Sequence, residues 1–277
     1  MASDSKIDNA WRDLRSAAEN VRSFIHRSVV GPIDERLVFI HVPKCGGRSI
    51  RKGLDRLFRM VPGRSDGRIV HLHPGAAGRA AETLDETVWT MRRRMLAYHL
   101  AHPNVQCVAG HYQIDATLLE EFAENHTFMT VLRDPVKRWI SHFFFNRYKE
   151  GDHYRIEKDL DEFLETDRAI SYGELYVNYF TGKGDADAGI GRDPEIMGEA
   201  KENLAKFDMI GFLEDLDAFR SEFERRFGAE LTLVHRNKNP APKKRRREQL
   251  TPAIREKIRE LCQPDIELYE TARELSG

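Results

Sequence analysis

The chain has 277 residues, of which 40% are hydrophobic and 32% are charged, and its formal net charge is −1. A chain of this length and composition can bury the core of a globular domain, which excludes a disordered or fibrous protein. Positive and negative side chains nearly balance, so the composition does not indicate a nucleic-acid-binding protein.

The N-terminal extension, residues 1–32, contains a predicted helix over residues 6–27. Its apolar side chains recur at helical spacing, and they are Trp11, Leu14, Ala18, Val21 and Ile25. The polar face carries charges of both signs, which argues against a helix lying on a membrane surface. We expect this helix to pack on the main domain, residues 33–277, or on a second copy of the chain in a homo-oligomer.

A strand, a tight loop and a helix follow the extension. Residues 37–42 form an apolar, β-branched-rich run, which is typical of a strand buried on both faces of a parallel sheet. An amphipathic helix begins near Ile50. The loop between them, residues 44–49, reads Lys-Cys-Gly-Gly-Arg-Ser, and it lacks the spacing of a Walker A motif. Backbone N–H groups and the helix dipole meet in such a loop, so we predict a phosphate- or sulfate-binding site there, with Lys44 and Arg48 adding charge.

Residues 60–101 have a weaker pattern. Residues 68–73 predict a short strand that carries His71 and His73 on one face, and residues 84–101 predict a helix. A metal site would need a third ligand in register, so we expect an acceptor-binding or structural role for the two histidines. The arginines at 92–94 are expected to lie on an exposed helix face, where an anionic acceptor could use them.

A second buried strand is predicted over residues 105–111, and it ends at Gly110-His111. In open α/β sheets ligands gather at the carboxyl ends of the strands, and this position distinguishes His111 from an ordinary structural histidine. Its usual pKa of about 6.5 suits a general base at neutral pH.

A third strand is predicted over residues 128–132, directly before Arg133. Asp134 is a suitable N-cap and Pro135 a suitable first residue for the helix that follows. Arg133 can form a forked contact with a phosphate, and Ser141 on the helix can add a hydroxyl donor. The structural alternative is a buried ion pair between Arg133 and an acidic side chain.

The second half of the chain has fewer interpretable features. Residues 151–206 are polar and turn-rich, and they are a candidate lid over a bound acceptor. A basic run at 236–247 is typical of a solvated loop. Predicted helices lie near 158–166, 172–181, 195–206 and 215–227, predicted strands at 207–213 and 231–235, and a C-terminal helix starts at Thr251-Pro252 and breaks near Pro264.

Lys44, His111 and Arg133 each follow a predicted buried strand. The carboxyl ends of parallel strands meet at one edge of a sheet, so we expect these three side chains to share a crevice. The fold predicted is therefore α/β, with three P-loop-like layers in which helices flank a central, mostly parallel sheet.

Three motifs support a family resemblance, and they are Pro43-Lys-Cys-Gly-Gly-Arg-Ser49, Gly110-His111 and Arg133-Asp-Pro-x-x-Arg-x-x-Ser141. In this order they resemble motifs of sulfotransferases that use 3′-phosphoadenosine 5′-phosphosulfate (PAPS). The resemblance covers about residues 36–270 and is greatest to the carbohydrate branch, which includes heparan sulfate 2-O-sulfotransferases and related bacterial enzymes. Two positions differ, because Arg48 replaces a usual threonine and Ala109 replaces a histidine. A pair of histidines sharing the role of base is therefore not expected.

The resemblance implies transfer of a sulfuryl group from PAPS to an acceptor hydroxyl, which we expect on a carbohydrate. It implies that His111 is the general base and that Lys44 stabilises the leaving group. Sulfate carries less charge than a terminal phosphate, so no metal is expected. The implied PAPS contacts are Lys44, Cys45, Gly46, Gly47, Arg48 and Ser49 at the 5′ side, Arg133 and Ser141 at the 3′-phosphate, and Asn237 and Lys238 in a loop that closes over the nucleotide.

Two other functions use similar anion sites. A nucleotide-dependent kinase is disfavoured because the Walker lysine spacing and an evident Mg²⁺-binding carboxylate are missing. A non-catalytic binder of anionic glycans would leave His111 without a task. The three cysteines lie far apart, and no stretch has the length of a membrane span or the pattern of a signal peptide. We therefore expect a cytoplasmic enzyme without a transmembrane segment. Eukaryotic members of the resembled branch carry a membrane anchor, so the resemblance implies that the enzyme is bacterial.

Overall fold

A computed structural model describes residues 33, 35–59, 69–152, 154–184, 186–233, 241–242, 245 and 248–276. The strands within these ranges are β1 (Leu37–Ile40), β2 (Ile69–His71), β3 (Cys107–Gly110), β4 (Thr127–Leu132) and β5 (Met209–Phe212). They form a single sheet in the order β2-β3-β1-β4-β5, in which every neighbouring pair is parallel. The predicted parallel α/β fold is confirmed, whereas the helix predicted at 6–27 lies outside the described residues.

Helices connect the strands and cover the sheet. Those of the first half are α1 (Gly47–Arg59), α2 (Pro74–Thr83), α3 (Val88–Ala101), α4 (Ala116–Phe122) and α5 (Pro135–Tyr148). Those of the second half are α6 (Leu160–Leu164), α7 (Asp167–Gly173), α8 (Leu175–Thr181), α9 (Pro194–Ala205), α10 (Leu216–Phe227), α11 (Pro252–Leu261) and α12 (Gln263–Leu275).

Alternation along β1 explains the three layers. Val38 and Ile40 point to one face and join a core that also contains side chains of α3, α4, α8, α9 and α12. Leu37 and Phe39 point to the other face, where they pack with side chains of α1 and α10. Both faces of the central strand are therefore buried, as its continuous apolar run predicts.

A third apolar cluster joins α5, α6, α7 and α11 beside the sheet. Its centre is Trp139 of α5, whose indole N–H donates to the carbonyl of Ala169 at 2.9 Å. The Asp134 side chain accepts from the backbone N–H of Lys137 at 2.8 Å, which confirms the predicted N-cap of α5. This cap fixes the start of the helix directly after the end of β4.

Three local predictions need correction. Residues 74–83 form a helix that the sequence did not predict, and the helix predicted at 84–101 begins only at Val88. The strand predicted at 231–235 is not formed at residues 231–233, and the remainder of that prediction lies outside the described residues. Within the described ranges, none of the helices combines the length and apolarity needed to cross a bilayer.

Candidate functional site

The loop after β1 has an unusual backbone. Lys44 has φ +70° and Gly46 has φ +80°, so two nearby residues adopt the left-handed conformation. Glycine tolerates this conformation, but for lysine it is strained, and such strain concentrates at functional sites. The backbone N–H of Ser49 donates to the carbonyl of Gly46 at 3.0 Å and closes the loop onto the start of α1. Ser49 itself is buried.

Gly47 packs directly against the side chain of His41. A Cβ atom at this position would lie 1.9 Å from Cδ2 of His41, closer than any real contact allows. The first residue of α1 must therefore be glycine as long as the imidazole keeps its place. His41, the residue after β1, is itself buried.

The Lys44 side chain lies between the loop and α5. Its Nζ is 3.7 Å from the ring centroid of Phe145, which is a close cation–π contact. Burial and, to a smaller extent, the positive charges of Arg48 and Arg133 lower the pKa of Lys44 to about 8. The ammonium is thus held in a partly desolvated, cationic environment that favours a bound anion.

Arg133 lies at the end of β4, next to this loop. Its Nη1 donates to the carbonyl oxygen of Lys44 at 3.3 Å, and its Nε is buried without a hydrogen-bond partner among the described residues. No described carboxylate forms an ion pair with it, so the predicted structural alternative is not observed within the described ranges. A buried, unsatisfied guanidinium nitrogen is the feature expected of a group that receives an anion.

Tyr176 of α8 joins the two loops. Its hydroxyl donates to the carbonyl of Arg133 at 2.5 Å and accepts from the backbone N–H of Arg133 at 3.0 Å. The same oxygen lies 3.4 Å from Sγ of Cys45. Cys45 therefore points into the core, where burial raises the pKa of its thiol to about 11, and its main chain alone remains for a ligand.

His111 lies at the end of β3 and contacts the end of β1. Its Nδ1–H donates to the carbonyl oxygen of His41 at 2.6 Å, so Nε2 carries the lone pair of the neutral ring. The rings of His41 and His111 are 4.2 Å apart with an interplanar angle of 30°. Two histidines therefore meet at this site, although the second directly follows β1 and does not come from the position of Ala109.

The pKa of His111 is lowered to about 4, contrary to the ordinary value expected from the sequence. Burial is the main cause, and the positive charges of Arg92, Arg51 and Arg48 add to it, while the hydrogen bond to the His41 carbonyl acts in the opposite direction. His111 is consequently neutral at pH 7, as an acceptor of a proton must be.

Two further residues of the Arg-Asp-Pro motif lie on α5, and they have different surroundings. Ser141 is buried on α5, the helix that starts directly after Arg133 and its cap. Arg138 is completely buried, where its Nη2 donates to the carbonyl of Tyr172 and lies 3.2 Å from Oδ2 of Asp265. Arg138 is therefore a structural residue that anchors α5 to α12.

The three consecutive arginines of α3 differ in their surroundings. Arg93 forms an ion pair with Asp115, and Arg94 forms one with Glu86 at 2.8 Å. Arg92, however, is only 6% exposed, which corrects the expectation that all three lie on a solvated face. Its Nη1 donates to the carbonyl of His111 at 3.4 Å.

The two histidines near β2 have structural partners. Nε2 of His71 lies 2.5 Å from Oδ1 of Asp55, and Nδ1 of His73 accepts from the backbone N–H of Ala76 at 3.0 Å as the cap of α2. Within the described ranges, no group of three or more metal-binding side chains is close enough to share an ion. Asn237 and Lys238, predicted to contact the nucleotide, lie outside the described residues.

The structure thus brings Lys44, His111 and Arg133 to one edge of the sheet, with Arg48 exposed on the first turn of α1. Sequence reasoning missed His41 and Tyr176, and it did not distinguish Arg92 from the two exposed arginines that follow it. The only sequence feature that could have identified His41 as a site residue is its position directly after β1. The contacts of Tyr176 and Arg92 join distant elements and leave no local pattern.

Residues 29–270 match the protein-family model described as "Sulfotransferase family". No curated protein matches the chain in a sequence comparison. The matched range includes the whole sheet and every residue of the crevice described above.

Proposed function

Because the chain belongs to the sulfotransferase family, we propose that it transfers a sulfuryl group from PAPS to a hydroxyl group of a carbohydrate acceptor. One observation carries this proposal. The ends of β1, β3 and β4 converge so closely that Arg133 contacts the Lys44 carbonyl and His111 contacts the His41 carbonyl. Two cationic groups and one neutral imidazole therefore share a crevice.

The residues fit the two charged ends of PAPS. The loop at 44–49 combines a strained backbone, a helix N-terminus and a lysine, which suits the 5′-phosphosulfate. The unpartnered Nε of Arg133 suits the 3′-phosphate, and the Ser141 hydroxyl would add a donor. Cys45 would contribute through its main chain, and Arg48 through its charge. Asn237 and Lys238 are proposed to contact the nucleotide as well.

His111 and Lys44 would act together in the transfer. Nε2 of His111 accepts the proton of the acceptor hydroxyl while the hydroxyl oxygen bonds to sulfur. The bond between sulfur and the bridging oxygen breaks, and adenosine 3′,5′-bisphosphate leaves with the electron pair. Lys44 neutralises the negative charge that grows on this oxygen, and such electrostatic stabilisation supplies most of the acceleration in related group transfers.

We place the enzyme in a reducing compartment, such as a bacterial cytoplasm. Cys45, Cys107 and Cys262 are all free, buried thiols, which is the usual state of cysteines in that environment.

The proposal is tested by titrating adenosine 3′,5′-bisphosphate into the protein in a calorimeter and by measuring transfer from radiolabelled PAPS to acceptors. Arg133→Ala should weaken binding by about 10- to 100-fold, because a charge-assisted contact is lost. Arg220→Ala is the control, since Arg220 is surface-exposed and pairs with Asp217 on α10. Absence of binding by the unmodified protein would refute the proposal.

His111→Ala should leave this binding unchanged while turnover falls by a factor of about 10²–10⁴, the usual contribution of a general base. An equal loss of affinity and turnover would instead make His111 a binding residue.

A further inference from the structure

His142 lies on α5, one turn before the residue that contacts Lys44. That residue is Phe145, whose ring centroid is 3.7 Å from Nζ of Lys44. Residues three apart are neighbours on the surface of a helix, and a helical side chain leans back over the preceding turn. The ring of Phe145 therefore extends toward the turn that carries His142, which places the imidazole on the side of α5 next to the ammonium.

A stacked ring fixes the orientation of the His142 imidazole. The ring centroids of His142 and Tyr172 are 4.0 Å apart, and the two planes differ by only 3°. The hydroxyl of Tyr172 accepts from Nδ2 of Asn146 at 2.7 Å and from Nη2 of Arg168 at 3.2 Å, so the tyrosine is itself held in place. Helices α5 and α7 thus hold the imidazole in a defined orientation.

The two ring nitrogens of His142 differ in their surroundings. Nδ1 is buried without a hydrogen-bond partner among the described residues, whereas the side chain as a whole is only half-buried. Buried N–H groups are left without a partner less often than acceptors are, so the proton of the neutral ring belongs on Nε2. The pKa of His142 is held well below its ordinary value, chiefly by burial and then by the positive charges of Arg138 and Lys44. At pH 7 the ring is therefore neutral, and its one donor is the N–H at Nε2.

The imidazole of His142 is close enough to both Lys44 and His111 for their charges to act on it. In the proposed reaction these two residues lie on opposite sides of the sulfuryl group, since Lys44 contacts the leaving oxygen and His111 the attacking hydroxyl. The three non-bridging oxygens of the group lie between them and carry negative charge. A neutral N–H donor beside both residues is suited to contact one of these oxygens.

We propose that His142 is a further catalytic residue, whose Nε2–H donates a hydrogen bond to a non-bridging oxygen of the sulfuryl group. The inference rests on the proposed function and assigns a residue to the group that is transferred. The proton stays on Nε2 while sulfur passes from the leaving oxygen to the acceptor hydroxyl. Fixed donors of this kind stabilise the charge of a transition state without reorganising, and neutral imidazoles act as such donors in other enzymes.

The test compares two nucleotides that differ only in the sulfuryl group. PAPS and adenosine 3′,5′-bisphosphate are each titrated into the protein in a calorimeter, and the ratio of their affinities isolates the contribution of that group. His142→Phe keeps the stacked ring and removes the donor. We expect it to bind PAPS about tenfold less tightly and the bisphosphate as before, since one charge-assisted hydrogen bond is lost.

His142→Gln should keep most of the affinity for PAPS, because its side-chain amide offers an N–H at a similar reach. A loss in His142→Gln as large as that in His142→Phe would show that the donor is not the cause, and it would overturn the inference.

His99→Phe is the matched control. The ring of His99 also lies beside an aromatic ring, that of Tyr98 at 5.4 Å, but on the end of α3 that leads into β3, at the opposite edge of the sheet. This substitution should change neither affinity. Thermal unfolding shows whether each variant is folded. If His142→Phe does not fold, His142→Leu carries the same expectation, since leucine is also apolar and lacks a donor.

An unchanged ratio of affinities in the folded variant would overturn the inference while leaving the proposed function intact. An equal loss of affinity for both nucleotides would also overturn it, because His142 would then contact the part that they share. Failure of the bisphosphate to bind the unmodified protein would instead refute the proposed function.

Discussion

Burial fixes the charge of the two side chains that we assign to the transfer. The neutral His111 and the cationic Lys44 follow two paired strands of the sheet, and both have a pKa lowered by burial and by surrounding arginines. Neutral pH therefore lies above the pKa of the imidazole and below that of the ammonium. Only between these two pKa values would His111 be neutral, as a base must be, while Lys44 is still positively charged.

For His111, the prediction concerns how the donor changes its protonation. In the free protein the imidazole should stay neutral until the pH falls through about 4. Bound adenosine 3′,5′-bisphosphate should raise this pKa, because its negative charges offset those of Arg48 and Arg51. NMR titration of the ring from pH 8 to below its expected pKa of about 4 would measure the free and the bound protein, with His111→Gln to assign the signal. A free-protein pKa at the ordinary value would contradict the buried environment.

For Lys44, donor affinity should fall as the pH rises. The ammonium loses its proton as the pH passes about 8, so binding of adenosine 3′,5′-bisphosphate should weaken by up to about tenfold between pH 7 and pH 9. Calorimetry at these pH values would show the change. Lys44→Arg keeps its charge throughout, so its affinity should vary little with pH. If the affinity of Lys44→Arg falls by the same amount as the pH rises, the group that loses its proton is not Lys44.

Among the secondary-structure elements, α1 approaches β1 more closely than a side chain at its first residue would allow. Gly47 is in contact with the ring of His41, which in turn lies against the ring of His111. The start of the helix, the end of the strand and the predicted base are thus packed as one unit. A change at the glycine should be transmitted to the base.

Gly47→Ala should reduce both stability and turnover. The added methyl group collides with His41, and overpacking of this kind costs about 1–3 kcal/mol. Gly78→Ala is the matched control, because Gly78 lies in α2 with open space around its Cβ position, and it should stabilise the protein by about 0.5–1 kcal/mol. Denaturant unfolding and PAPS turnover would measure both effects. A Gly47→Ala variant as stable and active as the original would show that His41 can move freely.

Across the whole molecule, α12 holds the elements that carry the site. Oδ1 of Asp265 accepts from the backbone N–H of Tyr176 at 2.8 Å, and Oδ2 lies 3.2 Å from Nη2 of Arg138. Through Tyr176 this carboxylate indirectly fixes Arg133 and Cys45. A residue far from the crevice therefore determines its geometry.

Asp265→Ala should destabilise the protein by about 3–5 kcal/mol, because it leaves the guanidinium of Arg138 buried without its partner. Glu267→Ala is the control, since its ion pair with Lys201 is exposed and such pairs contribute about 0–1 kcal/mol. Thermal and denaturant unfolding would measure both variants. If both variants lose an equally small amount of unfolding free energy, the buried ion pair contributes no more to stability than the surface pair does.

The sequence predicted the parts of this molecule that depend on local pattern. The strands before Lys44, His111 and Arg133 are apolar runs, and their parallel pairing brings these residues together as expected. The clamp formed by Tyr176 and Asp265 was not predictable, because it links residues far apart in sequence. The pKa of His111 is lower than the ordinary value expected from the sequence, since it depends on burial and on arginines from other helices.

The clamp also bears on how the protein is made. The hydroxyl of Tyr176 bridges residues 45 and 133, and its backbone is secured by residue 265. A chain emerging from the ribosome contains both of the proposed anion-binding loops long before it contains residue 265. We therefore expect nascent chains to bind the nucleotide only late in synthesis, once α12 has packed against the rest of the protein.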